Sequence, residues 1–115
     1  MGDQSKQYIQ DLIFLSKKNL KAIGWQSLTI ANNAGGYALT VPTGAVYALI
    51  VVESNITTPA IRYLEIGPST AVTSSVGIPR SNLDAFDVVG AENLTNFRAI
   101  QIGVGTHTLS IQYYK

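Results

Sequence analysis

The sequence predicts an all-β fold, an antiparallel two-sheet sandwich of jelly-roll kind preceded by an N-terminal helix or arm, and three observations carry that prediction. The last stretch, Asn96 to Lys115, alternates apolar and polar side chains: Ile100 and Ile102 share one face of a first run, and Leu109, Ile111 and Tyr113 share one face of a second. That is the period of two of half-buried strands. From Trp25 onward, turn residues recur every 8 to 12 positions, the spacing of a sandwich or barrel rather than of alternating strands and helices. Ala45 to Val52 is apolar on both faces, as befits a central strand whose second face is also covered.

Taken in order, the chain divides near Gly24. Four of the five lysines (Lys6, Lys17, Lys18, Lys21) precede it, and all three arginines (Arg62, Arg80, Arg98) follow it. Residues 1–22 form a helix or arm and residues 23–115 the sandwich. In the first part Tyr8, Ile9, Leu12, Ile13 and Leu20 recur at helical spacing with no Gly or Pro from Gln4 onward. This predicts a helix from about Gln4 to Lys18, capped by Asp3 or Ser5; Ile13-Phe14-Leu15 also suits an extended arm. Trp25 to Ala31 reads as a strand with Leu28 and Ile30 on one face. Asn32 to Gly36 turns into a strand Tyr37 to Val41, and Pro42-Thr43-Gly44 is the next turn. Ala45 to Val52 then sets Tyr47, Leu49 and Val51 against Val46, Ile50 and Val52. Strands follow at Ile61 to Ile66 and at Ala85 to Val89, with a short segment near Val72 to Ile78 between them. The terminal pair joins through Gly103-Val104-Gly105, read as a hairpin turn, and the total is seven or eight strands closing a sandwich.

Composition narrows the function. The 115 residues make one domain able to hold a core without covalent staples. There is no cysteine, hence no disulfide, no thiolate metal site and no cysteine nucleophile. A net charge of +1 gives no nucleic-acid footprint. The longest apolar run is strand-sized, so no membrane partner is expected. Met1 to Tyr8 is polar, unlike a secretory signal, and Lys6 stands where a myristoylation motif wants Ser or Thr. The sequons at Asn55 and Asn93 are therefore read as chance. A charged content of 13% beside 46% hydrophobic residues predicts a homo-oligomer, because apolar surface left bare is a liability.

Chemistry is sparse. His107, the only histidine, shares the parity of Leu109 and Ile111 and is expected at the core's edge, bonded to backbone. Asp84 and Asp87 fall on opposite faces of a strand and cannot act as an acid–base couple. No Gly-x-Ser-x-Gly elbow exists, and Gly103-Val104-Gly105 lacks the following helix of a phosphate loop. No catalytic residue, cofactor or metal ligand is assigned. Trp25, Tyr37, Tyr47, Tyr63, Phe86, Phe97, Tyr113 and Tyr114 offer material for a glycan-stacking platform, but most are placed in the core, with Tyr114 the exception. Lys17, Lys18 and Lys21 read as a solvated face or as a patch for an acidic partner.

Thr73-Ser74-Ser75-Val76-Gly77-Ile78-Pro79, then Asn93-Leu94-Thr95-Asn96-Phe97-Arg98-Ala99-Ile100, then Gly105-Thr106 through Leu109 to Tyr113-Tyr114, resemble small virion proteins of tailed bacteriophages. In that group a Thr-rich segment ending in Gly-(Met or Ile)-Pro leads to Phe-Arg-Ala-Ile and to a closing Gly-Thr-x-x-Leu-x-(Val or Ile)-x-Tyr-Tyr strand. The resemblance spans about Trp25 to Lys115 and implies a virion location and a non-enzymatic structural role. Capsid decoration, head-fibre and tail-accessory proteins all fit it. The expected partners are further copies of the chain and the major capsid protein or other virion proteins. The expected contact residues are Tyr8, Leu12, Lys17, Lys18, Lys21, Val46, Ile50 and Tyr114. The rival expectation is a glycan- or host-surface-binding module of a fibre, which would need an exposed aromatic flanked by polar hydrogen bonders.

Overall fold

The computed structural model describes residues 20–67 and 69–115. The expected N-terminal helix or arm, with Tyr8, Leu12, Lys17 and Lys18, lies outside them. Among the described residues the strands are β1 (Ala22–Ile30), β2 (Tyr47–Ser54), β3 (Ile61–Leu64), β4 (Ile78–Arg80), β5 (Ala85–Val89), β6 (Arg98–Gln101) and β7 (His107–Tyr114). One short helix, α1 (Ala91–Asn96), separates β5 from β6. The strands form two antiparallel sheets, ordered β1-β7-β2-β5 and β4-β3-β6. The all-β, two-sheet prediction is met.

Period-two alternation decides what meets between the sheets. Leu28 pairs with Leu109, and Ile50 pairs with both Ile111 and Phe86, so one face of the larger sheet is continuous apolar surface. It packs on Ile61, Tyr63 and Ala99 of the smaller sheet and on Leu94 and Phe97. Tyr63 stacks on Phe86 at 4.4 Å between ring centroids and on Phe97 at 5.5 Å, tying the two sheets and the end of α1 together. Burying each such ring contributes roughly 1.5–3 kcal/mol.

Two expectations about local structure, at Tyr37 to Val41 and at Gly103 to Gly105, are corrected, and two further segments take forms that alternation left open. Tyr37 to Val41 is not a strand: Tyr37 alone makes an isolated bridge to Ala99, and the chain then dips to bury Leu39 before Pro42 ends it. Val72 to Ile78 is mostly turn, because Thr73 Oγ1 accepts the Ser75 and Val76 amides and Arg62 clamps the Ser74 and Gly77 carbonyls. Gly77 sits at φ 134°, and a Cβ there would lie 3.0–3.1 Å from Val72, Arg62 and Tyr63, so only glycine fits. Gly103-Val104-Gly105 is not a hairpin turn; β6 belongs to the small sheet and β7 to the large one, so the loop crosses the sandwich. Helix α1 is unexpected. It starts where Gly90, at φ 103°, breaks β5, and ends under Arg98, whose Nη1 donates to the Thr95 and Phe97 carbonyls at 3.0 and 2.6 Å.

Candidate functional site

The outward side of the four-stranded sheet holds the groups with most potential for recognition. Register sets Tyr114, Tyr47 and Val89 side by side, then Trp25, Gln112, Leu49 and Asp87, then Ser27, Ser110, Val51 and Ala85. The centre is apolar and closed: Tyr47 and Tyr114 meet edge to face at 5.4 Å and are only 2% and 7% exposed. The Tyr114 hydroxyl donates to Gln112. Toward β5 a shallow cavity of about 190 Å³ is lined by Tyr47, Leu49, Ala85, Phe86 and Asp87.

The electrostatics there centre on a phenol paired with a carboxylate. The Tyr47 hydroxyl donates to Asp87 Oδ2 at 3.1 Å. Burial, reinforced by the Asp87 carboxylate, pushes the Tyr47 phenol up to about 12, so it stays a donor. Burial also raises the Glu65 carboxyl, with the charge of Asp87 adding to the effect. Asp84, by contrast, spends its carboxylate on the Ser81 amide at 2.7 Å, which closes the turn before β5. Asp84 and Asp87 thus serve separate local partners.

His107 is fully buried at the start of β7. Its partner is a side chain rather than the expected backbone: Nδ1 lies 2.8 Å from Ser54 Oγ, which also accepts the Ile56 amide at 3.2 Å. The Nε2 atom is buried with no hydrogen-bond partner among the described residues. Burial lowers the ring below its usual range. Arg80 stacks over Phe86 and Tyr63, 5.1 and 5.8 Å from the ring centroids, and its Nε is also buried without a partner among those residues. Among the described residues no three His, Asp or Glu side chains gather as a metal site.

The expected contact residues scatter. Ile50 is corrected: it is 0% exposed in the core and unavailable to a partner of the folded chain. Val46 is 40% exposed beside Gly90, whose amide donates to the Val46 carbonyl. Lys21 is exposed and exchanges two backbone hydrogen bonds with Lys115. Tyr114, expected as the aromatic available for contact, is corrected: it is only 7% exposed, packed on the outer face against Tyr47. Trp25, grouped with the core aromatics, is corrected: it is 69% exposed on the outward side of β1, and the signal that would have placed it there is its odd spacing from Leu28. One residue escaped sequence reasoning. Leu83 is 71% exposed at φ 68°, a left-handed conformation costly to a non-glycine residue, and no sequence pattern announces it.

Comparison with known proteins finds no matching family model, no matching curated protein and no matching solved structure.

Proposed function

We propose that this chain is a non-enzymatic virion structural protein of a tailed bacteriophage, a capsid decoration or stabilisation protein that works through symmetric protein–protein contacts. The observation that carries the proposal is where its large apolar side chains lie. Trp25, Val46, Ile66, Val76, Ile78, Leu83, Val89 and Val104 are each at least 40% exposed, on both sheets and the loops between them. Apolar side chains presented on several sides suit a lattice element that touches several neighbours. Leu83 adds to it by spending strain to hold an apolar side chain in water. Each contact is weak, and repetition by symmetry makes attachment firm.

The proposed jelly-roll form rests on connectivity. The last strand, β7, lies between β1 and β2, and β5 completes the sheet. If the Tyr37 bridge to Ala99 counts as a short strand beside β6, the second sheet also has four members, and the chain alternates between the sheets as a jelly roll does.

One observation favours the fibre-type glycan reading: exposed Trp25 stands beside Gln112 and Ser27, a stacking surface next to hydrogen-bonding groups. The test is to add purified chain to particles that lack it and pellet them. Saturable co-sedimentation at a fixed ratio to the capsid subunit is expected. No sedimentation, together with retention on an immobilised polysaccharide, would replace decoration by the glycan reading.

A further inference from the structure

Among the described residues the two sheets have four edges, and three are guarded. Strand β4 is three residues long, contains Pro79 and ends in Arg80. Strand β5 is five residues long and carries Asp87, with Asp84 next to it. Strand β6 is covered by the Tyr37 bridge, and the Gln101 amide is bound by the Ala31 carbonyl. Short length, proline, charge and cover are the usual means by which sheets avoid pairing with one another.

Strand β1 has almost none of these. It runs for nine residues, Ala-Ile-Gly-Trp-Gln-Ser-Leu-Thr-Ile, without a proline or a charge. Among the described residues it pairs only with β7. Its single irregularity, a bulge between Ala22 and Gly24, lies at one end. The edge is also held firmly in place. Gln26 Oε1 accepts the Tyr113 hydroxyl at 2.5 Å and the Thr40 amide at 3.1 Å, which anchors the inward side of the strand. A long, straight, neutral and anchored edge is a template for another strand. On its outward side it also displays Trp25.

From these observations we infer that β1 pairs antiparallel with β1 of a second copy of this chain, joining two four-stranded sheets into one of eight strands. A two-fold axis makes the contact self-complementary. The stretch free of register shifts, from Gly24 to Ile30, is centred on Ser27, so Ser27 faces its own counterpart and Trp25 faces Thr29 of the second copy. Directly opposed side chains in an antiparallel pair lie about 4.5–5.5 Å apart at Cβ, close enough for the indole to be covered. The pairing keeps Lys21 of the two copies at opposite ends. This inference gives the proposed oligomer a specific surface and rests on that proposal.

Trp25 is the only tryptophan, so its fluorescence reports on this edge alone. The full chain is titrated from nanomolar to high micromolar concentration, with mass followed by light scattering. A twofold rise in mass accompanied by a blue shift and loss of acrylamide quenching is expected. Mass that doubles while Trp25 stays open to quencher places the dimer elsewhere and sinks the β1 inference while leaving the oligomer standing. A monomer at every concentration removes the inference together with the free-solution oligomer. Shielding of Trp25 by a soluble polysaccharide at unchanged mass gives this edge to a glycan instead. Because the chain has no cysteine, Ser27→Cys supplies a unique thiol. It should oxidise to a disulfide dimer, while Val89→Cys on the opposite edge should not; equal cross-linking of both overturns the pairing.

Discussion

Acid should weaken this fold through His107, and a variant without the imidazole should be spared. The ring is 0% exposed, with Nδ1 on Ser54 Oγ at 2.8 Å and Nε2 facing no partner among the described residues. Charging it would bury a cation whose Nε2–H meets no acceptor among the described residues, and burial accordingly lowers the ring below 6.5. Between that lowered folded value and about 6.5 the unfolded chain holds a proton that the folded chain does not. Stability is therefore complete above about pH 6.5, falls as pH drops through the interval, and levels off below the folded value. One proton limits the slope to about 1.4 kcal/mol per pH unit, a large fraction of a margin of roughly 5–15 kcal/mol. Urea unfolding from about pH 8 to about pH 5 of the natural chain and of His107→Gln reads this directly. The natural chain should lose stability more steeply with acid than the variant. Equal pH dependence of the two would refute the buried neutral ring. Particle binding by His107→Gln should be unchanged at neutral pH.

The remaining predictions follow from the outer face and the termini. Asp87→Asn removes the carboxylate facing the Tyr47 hydroxyl, so alkaline ultraviolet titration should show that phenol ionising below its present value of about 12 but still above 10, since burial is the larger cause. An unmoved titration would mean that Asp87 does not influence Tyr47. Leu83→Gly relieves the left-handed strain at φ 68° and should raise unfolding free energy by about 1 kcal/mol while weakening particle binding. Stability gained with binding intact would free Leu83 of any contact role. Deleting residues 1–19, which stops short of β1, should leave a β-rich circular dichroism spectrum and reduce particle binding. Undiminished binding would show that the segment takes no part in attachment.

The sequence disclosed what alternation controls. Strand β7 and the doubly apolar β2 were legible because burial on one or both faces imposes a period or a run that survives any context. Turns built from side-chain hydrogen bonds were not legible. Thr73 and Arg62 hold the segment before β4 as a loop through contacts that a reading for strand period cannot see. Helix α1 spans six residues, too few to establish a period of 3.6, and its Leu94 reads equally well as part of a strand. The Gly103 to Gly105 loop deceived because glycines mark a reversal without saying whether the next strand joins the same sheet. At the candidate site Trp25 was misplaced among the core aromatics, although its parity, opposite to that of Leu28, sets it on the outer face. The link between Tyr47 and Asp87 joins β2 to β5 across 40 residues of sequence and needed the register of the sheet. Ile50 was misplaced because a strand apolar on both faces does not declare which one meets the core.

A cryo-electron microscopy map of the particle carrying this chain tests the proposed decoration role most directly. A decoration protein should give sandwich-shaped density repeated at symmetry-related positions on the outer capsid surface, with at least one interface above roughly 1,000 Å² per site. Intact particles that contain the chain but show no ordered copies on the capsid, or that carry it only at a fibre tip against a sugar, would contradict that role.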